Sequence, residues 1–254
     1  MFRLNTDGSG LTTLHSFYSD LPFPPDHVLV NSEGVYPRSA LVLSGNMLYG
    51  TLQYGGTGAA GSVFAVTTDG TVFTNLHSFD YSTEGAFPRA GLVLSGNTLY
   101  GAVAAGGALG DSGTLFALDT KGNGFRTLVT FSPASSSPPQ ANREGANPFG
   151  LLALADNTLY GTALHGGSDG YGTVFKLSLP APRLMLTLSG TNVALSWPTQ
   201  NAGFDYTGYT LKSTANLVPP VAWSTDSTTP TVVNGQNSVT IPISSPQKFY
   251  RLSQ

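Results

Sequence analysis

Apolar residues in this chain fall in runs of about four to eight, divided by Gly, Asn, Asp, Ser and Thr, and no window sustains the 3.6-residue period of an amphipathic helix. Residues 40–43, 47–52, 62–67 and 72–79 each carry such a run and read as strands. Between the first two lies Gly45-Asn46. Both residue types tolerate the positive φ of a primed hairpin turn, so the flanking strands are predicted to be antiparallel neighbours. Asp69-Gly70 does the same for the last two.

The pattern recurs along the chain. LVLSGNMLYG at 41–50 returns as LVLSGNTLYG at 92–101 and LALADNTLYG at 152–161, at spacings of 51 and 60 residues. A Gly pair follows each copy (Gly55-Gly56, Gly106-Gly107, Gly166-Gly167), then a strand ending at Phe64, Phe116 or Phe175. Six and fifteen residues past the first two of these stand a turn glycine and a second Phe, and Phe2, Gly8 and Phe17 keep the same offsets, so the chain begins inside a repeat. Glu33-Gly34, Glu84-Gly85 and Glu144-Gly145, each with Pro three residues after the Gly, close the unit. Length varies only between the second Phe and this Glu-Gly, as it does when insertions are loops on one face of an array, often the binding face.

Four strands per unit of roughly 50–60 residues is the pattern of a propeller blade. Gly50, Gly101 and Gly161, inside a strand, predict close backbone approach where blades converge. Phe64, Phe116 and Phe175 are predicted to pack between neighbouring sheets. Thirteen predicted strands make little more than three blades, short of the about four to eight of a closed ring. Three outcomes remain: an upstream part of the array is missing, copies associate, or the blades form an open arc. The first is favoured, because Met1 falls inside a strand motif with no signal peptide before it.

The combination of SGNxLYG, the Gly pair, GTVF, DG, LHSF and EGxxP over residues 1–177 resembles the bacterial tandem repeat called GloVer, found in choice-of-anchor surface proteins. The resemblance implies an exported, propeller-like protein whose C-terminal end varies and serves for attachment, with no enzymatic residues to carry over. Its Tyr-Gly and Gly-Gly arrangement is also similar to kelch repeats, but the kelch Trp is absent. Val129 departs from His15 and His77, and Phe149 stands where Arg38 and Arg89 stand, which argues against an obligatory His or Arg site.

After residue 177 the pattern stops. Residues 178–183, with Pro180-Ala181-Pro182, read as a stiff linker. Residues 184–254 hold seven short strand signals and predict a small antiparallel sandwich, with Trp197 as its core anchor. The order Trp197, Tyr209, Trp223 is similar to a fibronectin type III or immunoglobulin-like module, and the ending FYRL is similar to C-terminal modules of exported bacterial proteins. The fold class predicted is therefore all-β: a partial β-propeller, then a β-sandwich.

Charged residues make up 10% of the 254 and the formal net charge is −3, which leaves no electrostatic footprint for nucleic acid. The absence of Cys removes disulfides and thiol chemistry, and no apolar run reaches the about 18 residues of a membrane span.

Candidate chemistry is sparse. Glu33, Glu84 and Glu144 recur and could serve glycoside hydrolysis or a cation, but a turn carboxylate pairing locally with Arg38 or Arg89 is the favoured reading. His15, His77, His27 and His165 lack metal spacing and read as structural or surface groups, and GGSDGYGTVF at 166–175 as a glycine turn and not a calcium nonapeptide. No catalytic residue, metal ligand or cofactor is predicted. The aromatics beside the variable loops, Tyr18, Tyr36, Tyr54, Tyr81, Phe87 and Tyr171, are the candidate binding residues, able to stack on sugars, with core packing the equal alternative. The functional expectation is a non-enzymatic extracellular or cell-surface protein that binds a glycan or protein at its loop face. A carbohydrate-active enzyme and a structural spacer are the rivals, and self-association through the open propeller edge is an added expectation.

Overall fold

The computed structural model describes residues 1–18, 31–134, 142–201, 204–243 and 247–253. His27 and the middle of the Pro/Ser-rich run after Phe131 lie outside the described residues. Among the described residues there is no helix, and the strands form antiparallel sheets of which none closes on itself. The chain divides into two compact units. One comprises Met1–Leu94, Thr98–Leu154 and Leu159–Leu177; the other comprises Ser178–Gln254 with the hairpin tips Ser95–Asn97 and Ala155–Thr158.

The first unit opens with the hairpin β1 (Phe2–Arg3) and β2 (Thr12–Thr13). A short strand β3 (Asn31–Val35) precedes the first full sheet, built from β4 (Val42–Ser44), β5 (Met47–Leu52), β7 (Ser62–Thr67) and β8 (Phe73–Ser78) in that order. β6 (Tyr54–Gly56) leaves this sheet to pair with β3. The second sheet repeats the order with β9 (Val93–Ser95), β10 (Thr98–Val103), β11 (Thr114–Asp119) and β12 (Arg126–Thr130). In the third, β13 (Asn142–Pro148), β14 (Ala153–Ala155) and β16 (Thr173–Ser178) all pair with the long β15 (Thr158–Gly167).

The turn chemistry separates the copies. Gly45 (φ 58°) and Gly96 (φ 55°) alone take positive φ in the first two hairpins, the pattern of a turn with Gly first, whereas both Asp156 (φ 46°) and Asn157 (φ 59°) take it in the third. Three strands escape the apolar pattern: β3, β6 and β13 belong to the Glu-Gly and Gly-Gly segments, which pair with each other in the first and third copies. In the second copy this pairing shrinks to one bridge, Ala86 to Ala105.

The core lies between successive sheets. Tyr49, Val63 and Ala65 of the first sheet pack with Leu92, Leu99, Val103, Phe116 and Leu118 of the second repeat. On its other face the first sheet presents Leu52, Phe64 and Val66, against which Met1 and Phe17 pack. One ring contact recurs at each step from repeat to repeat: Phe17 on Phe64 (5.7 Å), Phe79 on Phe116 (5.0 Å) and Phe131 on Phe175 (5.3 Å). Phe64 and Phe116 are fully buried, while Phe175 is only half-buried.

The strand glycines have a different cause from the backbone approach expected of them. Gly50 and Gly101 sit directly across the ladder from Phe64 and Phe116. A Cβ added there would stand 2.7 Å or 2.4 Å from the ring Cζ, and next to Leu41 or Leu92; at Gly161 it would meet Phe175 at 2.4 Å. Each glycine is the seat for a phenyl ring of the adjacent strand.

The second unit holds two larger sheets and a short hairpin. One sheet runs β17 (Met185–Ser189), β18 (Asn192–Pro198), β24 (Gln236–Pro242), β23 (Thr231–Val233). The hairpin is β19 (Gln200–Asn201) with β20 (Phe204–Asp205), and the other sheet runs β22 (Ser224–Thr225), β21 (Thr210–Thr214), β25 (Phe249–Ser253). Trp197, buried with Leu195, Leu211 and Val239, takes residues from both larger sheets into one cluster, the anchoring role its size predicts.

Candidate ligand-binding surface

Each Glu-Gly segment is fixed by its backbone. Ser62 Oγ, Thr114 Oγ1 and Thr173 Oγ1, at one repeat position on β7, β11 and β16, donate to the carbonyls of Glu33, Glu84 and Glu144. Asn31 and Asn142 clamp the first and third segments: each accepts from the Gly N–H three residues on and donates to that Gly's carbonyl. The sequence signal of this clamp is an Asn two positions before Glu-Gly, present in the first and third copies. In the second copy Asp80 takes over, accepting from Ser82 and Thr83; those hydrogen bonds, the Ser82 hydroxyl first, lower its pKa from 3.8 to about 2.

The carboxylates of these segments meet histidine, not arginine. Glu33 Oε2 lies 3.1 Å from His15 Nε2, and Glu84 Oε2 lies 2.9 Å from His77 Nε2. Each His comes from the preceding repeat and lies flat on a Phe of the following one, His15 on Phe73 at 4.1 Å and His77 on Phe125 at 3.8 Å. The pair is an inter-repeat clasp. In the third copy Val129 replaces the His, and Glu144 accepts from Ser132 Oγ. The expected local pairing with Arg38 and Arg89 is therefore not formed, because those guanidiniums lie over Tyr36 (5.8 Å) and Phe149 (4.9 Å). His165 sits on β15 opposite Ala146.

Four of the six candidate aromatics converge. Tyr36 follows Glu33-Gly34 and Tyr54 opens β6; the pairing of Val35 with Tyr54 brings their rings to 5.9 Å. Tyr54 reaches across to Phe87 of the second repeat at 5.0 Å, and Phe87 to Tyr81 at 6.0 Å. The result is a run of four rings across the junction of two repeats, with Arg38 at the Tyr36 end. Tyr36 and Tyr81 are exposed and the two inner rings half-buried, so the run is neither core nor loose surface. Burial, then the hydrogen bond to the Asp111 carboxylate and its charge, hold the Tyr81 phenol above its ordinary pKa of 10.0. Tyr18 and Tyr171 stand outside the run; Tyr171 is 94% exposed.

The backbone under the run is strained. Tyr36 (φ 61°) and Phe87 (φ 60°) occupy equivalent left-handed positions, uncommon for bulky residues, and each precedes a proline that further narrows its choices. Such residues cost about 1–3 kcal/mol each and cluster at ligand sites. The third copy has Asn147 (φ 58°), a residue type at ease there, whose Nδ2 donates to the Ala104 carbonyl. The aromatic run ends where the strain is relieved.

Fold and surface together define an all-β tandem-repeat protein that displays a ring ladder at one junction. The Gloeobacter/Verrucomicrobia repeat model matches residues 1–143, and the chain belongs to this family. No curated protein matches it. Among the described residues no helix is long and apolar enough to cross a membrane.

Proposed function

We propose that this chain is a non-enzymatic, exported binding protein of the bacterial surface, in which the three sheets act as blades of an open propeller. Residues 184–254 form a fibronectin-like or immunoglobulin-like sandwich serving attachment. The ligand is a glycan chain laid along the aromatic run. The single observation behind this reading is the ladder Tyr36–Tyr54–Phe87–Tyr81: consecutive rings 5.0–6.0 Å apart, partly exposed, two of them on strained backbone. Aromatic faces suit the C–H faces of pyranose rings, while the Tyr36 hydroxyl and Arg38 supply donors for sugar oxygens. Sheet-after-sheet stacking with a phenyl ring at every step supports the blade reading.

The enzymatic alternative requires two carboxyl groups facing each other across a scissile bond. Glu33 and Glu84 are instead each taken up by a histidine, and Glu84 also accepts from the Asp80 N–H. The test is a glycan array followed by titration calorimetry on the best ligand, comparing the natural chain with Tyr54→Ala and Tyr171→Ala. Loss of about 1–3 kcal/mol of binding on removing Tyr54, the range stacked aromatics give at other sites, with Tyr171→Ala unchanged, supports the reading. Equal binding by all three proteins, or binding of peptides and no glycan, refutes it.

A further inference from the structure

The segments that carry the aromatic run also carry positive charge. Tyr36 and Phe87 are each followed by Pro and then Arg, so Arg38 and Arg89 hold one repeat position, and both are exposed. The residues after the two arginines are held by the same buried threonine: the Thr51 N–H donates to Ser39 Oγ, and Thr51 Oγ1 donates to the Ala90 carbonyl. One residue further on the three copies meet, for a Cβ at Gly91 would stand 3.0 Å from the Ala40 carbonyl oxygen and 3.2 Å from Leu151 Cδ1. Two guanidiniums are thus carried on fixed backbone at the junction the rings cross.

Each guanidinium touches a ring and no acid. Arg38 lies over Tyr36 and Arg89 over Phe149, and among the described residues neither has a carboxylate partner. Glu33 and Glu84 are taken up by His15 and His77. Asp111 accepts from the Gly106 N–H and stands at the Tyr81 end of the run, away from Arg38. A guanidinium over an aromatic ring keeps its in-plane N–H donors, and these match the paired oxygens of a carboxylate or sulfate. The net charge of the whole chain is −3, so nothing draws a polyanion to the molecule at large and any attraction is local to such a pair.

Ring and charge also stop at the same repeat. In the third copy Asn147 replaces the aromatic and Phe149 replaces the arginine, while Pro148 and Glu144-Gly145 are kept. An arginine needed by the repeat itself would be kept with them. The pair therefore belongs to the junction of the first two repeats, where the aromatic run lies.

We infer that the ligand of this surface is an anionic polysaccharide, its sugar rings stacked along the run and its carboxylate or sulfate groups held by Arg38 and Arg89. The inference rests on the glycan-binding reading above and adds the charge of the glycan to it.

Titration calorimetry of the 254-residue chain tests this with two matched pairs, polygalacturonate against its methyl ester and dextran sulfate against dextran. In at least one pair the charged polymer is expected to bind about tenfold or more tightly than its neutral form, the advantage shrinking as salt is raised. Preference in the first pair assigns the bound group as carboxylate, and in the second as sulfate. Arg38→Gln and Arg89→Gln are each expected to lose about tenfold on the preferred polymer, whereas Lys121→Gln, which removes the same charge from an exposed turn, loses nothing. A melting curve checks that the variants are folded, and the comparison of charged with neutral polymer needs no variant. Equal binding of the charged and neutral forms in both pairs overturns the inference; if Tyr54→Ala abolishes that binding, the aromatic surface stands without the charge. A loss at Lys121→Gln equal to that at the arginines also overturns it, and binding of no polymer overturns both readings.

Discussion

Replacing Gly101 with Ala asks whether the strand glycine is a ring seat. The new methyl would stand 2.4 Å from Phe116 Cζ, 2.8 Å from Cε1 and 2.9 Å from Leu92 Cδ2, against 3.4–4 Å for an ordinary contact. Phe116 is fully buried and held opposite Gly101 by the β10–β11 register, so it has nowhere to swing. Overpacking of this kind costs about 1–3 kcal/mol, and an overlap of roughly an ångström belongs at the upper end. Working against it, Ala restricts the unfolded chain and returns about 0.4–1 kcal/mol. The φ of Gly101 is not in the left-handed region, so no backbone strain adds to the sum. The expected net is a loss of about 1–2.5 kcal/mol, or roughly 3–8 °C in Tm for a unit of this size. Gly161→Ala provides the control. Its methyl would meet Phe175 at the same 2.4 Å, but that ring is half-buried on an open sheet and can turn outward; the loss should stay below about 1 kcal/mol. The assay is urea unfolding followed by near-UV circular dichroism of the tyrosines, with amide exchange on β10 and β11, because both tryptophans, Trp197 and Trp223, lie in the second unit and report on it alone. Adding Phe116→Leu to Gly101→Ala should cost less than the two changes summed, by at least about 0.5 kcal/mol. A neutral or stabilising Gly101→Ala, an equal loss at Gly161, or strict additivity with Phe116→Leu would refute the seat.

Three further outcomes follow from the surface. Phe87→Asn places in the second copy what Asn147 is in the third: relief of about 1 kcal/mol or more of left-handed strain offsets the lost ring contacts of about 0.5–1.5 kcal/mol, so thermal melting should move by only a few degrees while glycan binding in calorimetry falls away. His77→Ala removes the stack on Phe125 and the bond to Glu84 and should destabilise the junction by about 1–2 kcal/mol, read as faster amide exchange in β8 and β12; Val129→Ala, at the same position without a clasp, should do so less. Asp80 has its pKa lowered from 3.8 to about 2, so its contribution to the 80–84 turn is complete above pH about 4 and is lost as pH falls through about 2. Amide protection of Thr83, which donates to Asp80 Oδ1, should therefore decline in that window, with Asp80→Asn abolishing the pH dependence.

How far the sequence reached depended on whether a feature was local. Strands β5 and β7 fall on the residues their apolar runs marked, since side-chain alternation and the Gly-Asn turn both act over neighbours. β3, β6 and β13 left no such mark. Their residues, NSEGV, YGG and NREGANP, are held by backbone pairing and by the Asn31 and Asn142 clamps, which hydropathy does not record. The six candidate aromatics stand beside the variable loops in the sequence, but the grouping of four of them depends on Val35 pairing with Tyr54 and on the step from Tyr54 to Phe87. Neither has a signal within either segment. The same limit hid the partners of Glu33 and Glu84: His and Glu both recur visibly, but their meeting is a contact between repeats.

Burial in a tandem array is decided by what stands next door. Tyr49, Tyr100 and Tyr160 occupy the same Leu-Tyr-Gly triplet on the same inner strand, yet the first two are buried and the third is not. Nothing in the triplet distinguishes them, because each repeat encodes half of an interface and relies on its neighbour for the other half. The glycine of the triplet behaves differently: its ring comes from the adjacent strand of its own sheet, so all three copies need the same seat whether or not a following repeat covers them. Substitutions at the glycine therefore measure contacts within a repeat, graded by how tightly each ring is enclosed. Substitutions at the tyrosine measure contacts between repeats, and Tyr160→Ala should leave the monomer's stability nearly unchanged where Tyr100→Ala lowers it by about 3–5 kcal/mol, as for other large core aromatics.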